Sequence, residues 1–147
     1  MPELNFTPEQ RAAIDTRGSA VLVSAAAGSG KTRVLTERLM AYLTDAETPV
    51  DIDRFLVITY TRAAAAELRS RILDGIYARI ASDPENRRLR RQAALCAHAE
   101  IGTIHSFCAD FLRANCAALA LAPDFQVADT ERCIALRTTA LEHTLER

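Results

Sequence analysis

A short apolar run, a glycine-containing loop and a helical repeat follow one another near the N-terminus. The run at residues 20–24 is rich in β-branched side chains, which predicts a buried parallel strand. Residues 25–32 then read Ala-Ala-Ala-Gly-Ser-Gly-Lys-Thr, and apolar side chains recur after them at helical spacing. A loop of this kind between a strand and a helix is the context in which a phosphate-binding loop is expected. The pattern predicts an α/β domain built around a nucleotide site.

The residue types in this loop suit phosphate binding. Gly28 and Gly30 let backbone N–H groups turn toward an anion, and the following helix adds its own unpaired N–H groups. Lys31, the only lysine in the sequence, supplies a compact charge for the β- and γ-phosphates of ATP, and Thr32 a hydroxyl for Mg²⁺. Both are expected to be catalytic. Ala25 replaces the first glycine of the pattern, where a small residue suffices. The predicted ATP-binding residues here are Ala25, Ala26, Ala27, Gly28, Ser29, Gly30, Lys31 and Thr32.

The residues that open the first helix leave two roles for one glutamine. Thr7 as N-cap, Pro8 at the first helical position and Gln10 at the third form a capping box, which satisfies two backbone N–H groups. A glutamine amide also pairs with the donor and acceptor on an adenine edge. The residues alone leave both roles open for Gln10.

A second apolar run ends in a cluster of hydroxyl, aromatic and basic side chains. Residues 55–59 predict a buried strand, and residues 63–81 predict a helix. Because open α/β sheets bind ligands at the carboxyl ends of their strands, Tyr60, Thr61 and Arg62 lie where a ligand is expected. One interpretation is a base stacked on Tyr60 with phosphates held by its neighbours. The other is a helix N-cap at Thr61 beside a packed aromatic ring.

A third short strand runs into a helix within residues 100–108, and this helix is predicted to continue to about residue 120. His105 lies at the junction, where its ring can reach a backbone phosphate alongside Thr103. A lone histidine is more often a structural residue, so spacing leaves both roles open.

Charge and composition restrict the classes of function. The net charge is −1, so the chain is no non-specific DNA-coating protein. The arginine run at residues 87–91, in a helix expected to start at Pro84, is interpreted as a solvated face. The N-terminus has no basic region leading into an apolar stretch, and the sequence has no apolar run near the ~20 residues of a membrane span. These features predict a cytoplasmic protein without membrane contact.

The cysteines and the last helix complete the expectations drawn from the residues. Four cysteines without a Cys-x-x-Cys pair predict reduced, mostly buried thiols. Asp129 or Thr130 is expected to cap a helix that still runs at Arg147, so we expect the chain to be cut from a longer one.

Taken in order, these segments resemble the N-terminal part of the UvrD/Rep branch of superfamily 1 helicases, over about residues 4–132. Residues 6–10 resemble the adenine-recognising Q motif, and residues 25–33 resemble motif I. Residues 59–72 resemble motif Ia, and residues 102–113 resemble the threonine-histidine-serine motif that follows it.

Within this branch, two features are most similar to the AddA family, the helicase components of bacterial AddAB helicase–nucleases that process double-strand breaks. They are the loop Ala-Ala-Ala-Gly-Ser-Gly-Lys-Thr and the four alanines before Glu67. Two residues depart from the branch pattern: Tyr60 replaces a phenylalanine, and Arg62 stands where asparagine is common. Both keep the capacity for stacking and polar contact.

The resemblance implies a fold and a set of contacts. The fold is a truncated recA-like P-loop NTPase domain with a parallel sheet flanked by helices. Residues 1–122 would be the N-terminal part of the ATP-binding 1A domain, and residues 123–147 the entry into the helical 1B insertion. Gln10 and Arg33 would contact adenine, with ATP and Mg²⁺ as cofactors. Single-stranded DNA or duplex ends and an AddB-like second subunit would be the partners. The implied DNA-binding residues are Tyr60, Thr61, Arg62, Thr103 and His105.

The resemblance also implies what a longer chain would add. The acidic Walker B motif, the arginine fingers and, in an AddA-like protein, a nuclease domain would come later. Without the first two, phosphoryl transfer lacks its main electrostatic support, so we expect this chain alone to bind nucleotide weakly and to hydrolyse almost none. The alternatives are a UvrD/PcrA-type repair helicase without a nuclease, a different phosphate-loop enzyme such as a small-molecule kinase, and a non-catalytic interaction module that has kept the fold.

Overall fold

The computed structural model describes residues 5–146 and forms two compact units, Met1–Ile104 and His105–Arg147. The described residues form an α/β structure, and none of their helices is long and apolar enough to cross a membrane. In chain order the elements are α1 (Pro8–Asp15), α2 (Lys31–Leu43), a 3₁₀ turn (Ile52–Arg54), β1 (Leu56–Thr59), α3 (Arg62–Ser82), α4 (Arg87–Leu95), β2 (Glu100–Thr103), α5 (Ile104–Ala114), a second 3₁₀ turn (Cys116–Leu119) and α6 (Thr130–Leu145).

The sheet in the described part of the chain consists of β1 and β2, which run parallel. Leu56 pairs with Glu100 and Thr59 with Thr103. A parallel pair needs a long crossover, and α3 and α4 supply it. The carboxyl ends of both strands therefore lie side by side, where the Thr59 hydroxyl donates to the Gly102 carbonyl at 3.4 Å. The strand predicted at residues 55–59 is confirmed to within one residue, but its predicted burial is wrong, since Leu56 and Ile58 are 50% and 45% exposed.

The core of the first unit forms where α2 and α3 meet the sheet. Leu68, Ile72 and Ile76 repeat every four residues and give α3 one continuous buried face. Met40 and Leu43 of α2 are fully buried in the same cluster. Burying an apolar side chain of this size contributes about 1.5–3 kcal/mol to the free energy of unfolding. The buried face of α3 therefore makes a large contribution to the stability of the first unit.

One arginine joins α3 to β2. Arg69 donates to the carbonyl oxygens of Cys96, Ala97 (3.5 Å), Ala99 (3.0 Å) and Ile101 (3.2 Å). A planar guanidinium has five donors in a fixed fork, which matches such a row of acceptors. The side chain therefore fixes the path of the chain from the end of α4 into β2, and with it the position of Thr103.

The predicted strand at residues 20–24 is wrong for this structure. These residues belong to no strand and are exposed, and Leu22 is 95% exposed. A buried parallel strand needs hydrogen-bonded neighbours and cover on both faces. Within residues 5–146, the two assigned strands pair with each other, and neither pairs with this run. An apolar run signals a tendency to be buried, but it carries no information on whether its partner strands are present.

The helix start predicted at Pro84 is also wrong. Asn86 is the N-cap of α4, where its side-chain oxygen accepts the Leu89 N–H at 3.1 Å. Pro84 lies in the preceding turn, which is closed by an Asn86 N–H to Asp83 carbonyl bond of 3.2 Å. Asparagine can satisfy a helix N–H group with its side chain whereas proline cannot, so the cap fixes the start.

The second unit differs from expectation in the length of its first helix and in the burial of its thiols. α5 was expected to continue to about residue 120, but it ends at Ala114. At this end the Asn115 side-chain amide donates to the Phe111 carbonyl at 2.8 Å, and a 3₁₀ turn follows. Asp129 caps α6 as expected, accepting the Arg132 N–H at 2.8 Å. The helix was predicted to run at Arg147, but it ends at Leu145 with Glu146 as its C-cap, and Arg147 lies outside the described residues. The cysteines are not mostly buried: Cys96 of the first unit is buried, whereas Cys108, Cys116 and Cys133 are exposed or half-buried.

Candidate nucleotide site

The glycine-containing loop leads directly into α2. Gly28 and Gly30 have φ angles of 79° and 83°, in the left-handed region that glycine adopts without strain. The Ser29 N–H donates to the Ala26 carbonyl at 3.3 Å and closes a tight turn. Gly30 is the N-cap of α2, and no side chain caps that end of the helix. The free N–H groups of the first turn of α2 are therefore open to an anion beside this loop.

Lys31 is the first residue of α2, and its side chain contacts the loop. Its Nζ donates to the carbonyl oxygens of Ala25 and Ala26 at 2.6 and 2.7 Å. An ammonium group has three donors, so one remains for a further acceptor. Ala25 contributes a main-chain oxygen and does not have a positive φ, which explains why alanine suffices where the pattern has glycine.

The residues present fit a magnesium ion held mainly by phosphate. Thr32 is exposed on the first turn of α2, and within the described residues its hydroxyl has no hydrogen bond. Residues 5–146 contain no group of three or more His, Cys, Asp or Glu side chains placed to hold a metal. Mg²⁺ is commonly bound by one or two protein oxygens together with substrate phosphates and water, so one hydroxyl beside an anion loop meets that requirement.

Gln10 connects α1 to the loop. Its Oε1 accepts the Thr7 N–H at 3.0 Å, and the Thr7 hydroxyl accepts the Gln10 N–H at 3.3 Å, so the predicted capping box is present. Its Nε2 also donates to the Ser29 carbonyl at 3.1 Å. A primary amide has two donors and two acceptor lone pairs. One donor and one acceptor of Gln10 therefore remain available.

A cleft of about 220 Å³ lies between α1 and the loop. Its surface is mostly apolar, and Gln10, Ser29 and Lys31 are among the residues that contribute polar groups to it. Glu9 also borders it, and its pKa is lowered because its carboxylate accepts hydrogen bonds from its own N–H and from Thr7. That carboxylate lies in the first turn of α1, where the positive end of the helix dipole offsets its charge.

Arg33 is exposed on the first turn of α2 and contacts Phe6, a residue of the Q-like segment to which the sequence assigned no individual role. Its guanidinium carbon is 4.7 Å from the centroid of the Phe6 ring. Arg11 also lies over this ring, at 5.2 Å. The sequence signal that could have identified Phe6 is its spacing from Arg11. An aromatic residue just before a helix cap and a long side chain at the fourth helical position form a staple-like pair.

The cluster after β1 combines both interpretations drawn from the sequence. Thr61 is the N-cap of α3, because its hydroxyl accepts the Ala64 N–H at 3.1 Å. Tyr60, however, is fully exposed instead of packed, and Arg62 is exposed beside it. The predicted stacking side chain and its neighbouring cation are therefore accessible to a ligand.

Thr103 and His105 differ in exposure. Thr103, the last residue of β2, has 8% of its surface exposed and interacts with other protein groups. His105 is exposed on the first turn of α5. The burial of Thr103 favours a structural role for its side chain, whereas His105 remains accessible.

The arginine run on α4 is used largely within the protein. Arg88 and Arg91 each lie 3.0 Å from a carboxylate oxygen of Asp51. Arg88 also donates to the Leu43 carbonyl at 3.2 Å, and Arg90 donates to the Pro84 carbonyl. Arg87, Arg90 and Arg91 are exposed, as expected for a solvated face, but these contacts also join α4 to neighbouring segments.

Comparisons with known proteins agree with the order of the motifs. The model of a family described as the UvrD/REP helicase N-terminal domain matches residues 6–147. An ATP-dependent helicase/nuclease subunit of Clostridium acetobutylicum is 49% identical over 142 residues, 97% of this chain and 11% of that protein. Proteins of the same name are 49% identical in Thermoanaerobacter sp. (96% of this chain, 11% of that protein) and 43% identical in Clostridioides difficile (99% and 12%). The chain thus spans 11–12% of the length of these relatives.

Proposed function

Because the chain belongs to the UvrD/REP helicase N-terminal domain family, we propose that it is the ATP-binding part of an ATP-dependent DNA helicase with a recA-like P-loop fold. The observation that carries this proposal is the loop at residues 25–32, whose two left-handed glycines lead into an uncapped helix start beside Lys31. A phosphate group satisfies the free N–H groups and the third ammonium donor together. Hydrolysis and unwinding belong to the longer protein that the relatives represent.

We assign the nucleotide contacts as follows. The loop N–H groups and Lys31 bind the β- and γ-phosphates, and the Thr32 hydroxyl contributes one ligand to Mg²⁺. Bound Mg²⁺ neutralises negative charge on the phosphates. Gln10 offers its remaining donor and acceptor to adenine, and Arg33 lies beside the base. These groups bind and orient the nucleotide, while the acidic residue that activates water is expected later in the longer chain.

We propose that single-stranded DNA contacts the cluster after β1. Tyr60 offers a fully exposed ring for base stacking, while Thr61 and Arg62 offer an N–H group and a cation for phosphates. We also propose that His105 and Thr103 contact the DNA backbone, Thr103 from its position at the end of β2. We likewise propose a cytoplasmic location for the protein.

The name of the relatives supports a more specific form of the proposal. Each is named as one subunit of a helicase/nuclease, so we propose that the longer protein associates with an AddB-like second subunit. A UvrD/PcrA-type helicase without a nuclease remains the alternative. It shares the same nucleotide and DNA residues and differs only in the absence of a nuclease domain from the longer chain.

Because Lys31 is the only lysine, amine chemistry tests the nucleotide site at one side chain. The chain is treated with an amine-acylating reagent, with or without Mg-ATP, and the acylation of Lys31 is followed by peptide mass spectrometry. We expect ATP to slow acylation of Lys31, because its ammonium is then engaged by phosphate. The α-amino group of Met1 serves as the internal control and should react equally fast in both samples. Equal rates at Lys31 with and without saturating ATP would refute the proposed site.

The DNA contact is tested by comparing two exposed tyrosines. Tyr60→Ala should weaken binding of a fluorescently labelled single-stranded oligonucleotide about five- to 150-fold, the range expected for loss of one base–aromatic stack. Tyr77→Ala is the matched control, because Tyr77 is an exposed tyrosine on α3 outside the proposed contact. If both variants bind DNA like the unmodified chain, the base stack on Tyr60 does not form.

A further inference from the structure

Phe6 lies where the first helix and the nucleotide loop come together. It immediately precedes Thr7, the N-cap of α1, and Arg11 occupies the fourth position of the helix. The Arg11 guanidinium carbon lies 5.2 Å from the centroid of the Phe6 ring. This is the spacing of a hydrophobic staple, with a cation in place of the usual apolar partner. The capping box and this contact together fix the ring on the helix.

The same ring holds a second guanidinium, that of Arg33. The Arg33 carbon is 4.7 Å from the ring centroid, within the range of a cation–π interaction. Within residues 5–146, Arg33 makes no hydrogen bond or ion pair, so the ring is the contact that orients it. A guanidinium group is planar and has two faces, and it stacks on aromatic rings. Arg33 is exposed, so the surface of its guanidinium group away from Phe6 is accessible to a second ring.

Both groups that can contact a nucleotide base are thus anchored on residues 6–11. Gln10 is ordered by the cap and tied to the loop through Ser29, and Arg33 is ordered by Phe6. We infer that Phe6 is a positioning residue for base recognition: it orients the Arg33 guanidinium by a cation–π contact so that its free face stacks on a purine. This inference rests on the proposed function, because it concerns the same nucleotide site. It assigns to Phe6 a share of the binding that depends on the base and not on the phosphates.

The experiment compares two ligands that differ in the nucleoside. Binding of Mg-ATP and of magnesium tripolyphosphate to the 147-residue chain is measured by calorimetry. Phe6→Leu keeps an apolar side chain but removes the ring. We expect it to weaken ATP binding about two- to fivefold, the size of one exposed cation–π contact, and to leave tripolyphosphate binding unchanged. Phe6→Tyr keeps the ring and should bind both ligands like the unmodified chain.

The matched control is a second arginine–aromatic contact away from the loop. Arg17 lies over the ring of Tyr42 with its guanidinium carbon 4.0 Å from the centroid. Tyr42→Leu makes a comparable replacement, and we expect the ratio of ATP to tripolyphosphate affinity to stay unchanged. Replacing Phe6 with ring-fluorinated phenylalanines is the second test, since fluorination weakens the cation–π contact while preserving the shape of the side chain. ATP affinity should fall as fluorine atoms are added, so the test does not depend on how well the leucine variant folds.

A double-mutant comparison tests whether Phe6 acts through Arg33. Arg33→Met should weaken ATP binding in the unmodified chain but have little further effect in the Phe6→Leu background. An unchanged ratio of affinities in Phe6→Leu and in the fluorinated chains, or fully additive losses in the double mutant, would overturn the inference. Failure of the proposed function gives a different result: the unmodified chain would bind neither ligand, and Lys31→Ala would change nothing.

Discussion

Replacing Gly28 with alanine separates the backbone geometry of the loop from its side-chain contacts. Gly28 has a φ of 79°, and a Cβ added there has no atom within 4 Å. The substitution therefore introduces no steric clash, and its cost is that of an alanine in the left-handed region, about 1–2 kcal/mol. The loop is exposed, so it can relax to a negative φ without disturbing the core. Nucleotide binding must then restore the left-handed geometry, which predicts a loss of ATP affinity of about five- to thirtyfold.

Gly18→Ala is the matched control for this prediction. Gly18 has a φ of 70°, and a Cβ there also has no atom within 4 Å, but it lies outside the loop. Both variants carry the same type of backbone penalty, and only Gly28→Ala should lose affinity for Mg-ATP in calorimetry. ATP binding by Gly28→Ala within twofold of the unmodified chain would refute the argument that the left-handed backbone shapes the site. An equal loss in Gly18→Ala would refute the argument that the effect is local.

Three further outcomes are expected. Gln92→Leu should lower the free energy of unfolding by about 1–3 kcal/mol in urea denaturation. The reason is that the buried Gln92 Oε1 accepts the Ile52 N–H at 2.8 Å, and leucine leaves that N–H unsatisfied. The control Gln126→Leu, at an exposed position, should change stability little. Burial raises the pKa of the Cys96 thiol, so less of this thiol is present as thiolate at pH 8. Iodoacetamide should therefore label the exposed Cys108 before Cys96, and equal labelling rates of the two, measured by mass spectrometry, would contradict this. The 147-residue chain should hydrolyse almost no ATP in a phosphate-release assay. Turnover at the rate of intact motors that is lost when Lys31, its only lysine, is replaced would contradict this prediction.

The elements that could be predicted from the sequence are those whose signals lie within their own residues. The helix predicted at residues 63–81 is observed at Arg62–Ser82, because Thr61 caps its start and its buried residues repeat every three or four positions. Asp129 could be identified as a cap for the same reason, since a cap acts on a helix N–H group three residues away. The nucleotide loop combines these two cases, because its glycines and the helix after it are both encoded locally.

Features that depend on distant residues could not be predicted in this way. The run at residues 20–24 has the composition of a buried strand, but a strand exists only through hydrogen bonds to neighbours that its own composition does not specify. Arg69 likewise carries no sequence signal of its role, because its four carbonyl acceptors lie 27 to 32 residues further along the chain. The partners of the arginines on α4 were hidden for the same reason.

Capping and base recognition appeared as competing roles for Gln10 in the sequence, yet the structure shows that the first does not exclude the second. The cap uses one acceptor position of the amide and the bond to Ser29 uses one donor, so one donor and one acceptor remain. That is the pair that an adenine edge requires. Fixing a free glutamine side chain costs up to about 2 kcal/mol of conformational entropy. Here the fold orders Gln10 before a nucleotide arrives, so binding does not bear that cost, and the capping contact becomes a reason for the proposed recognition of the base instead of an argument against it.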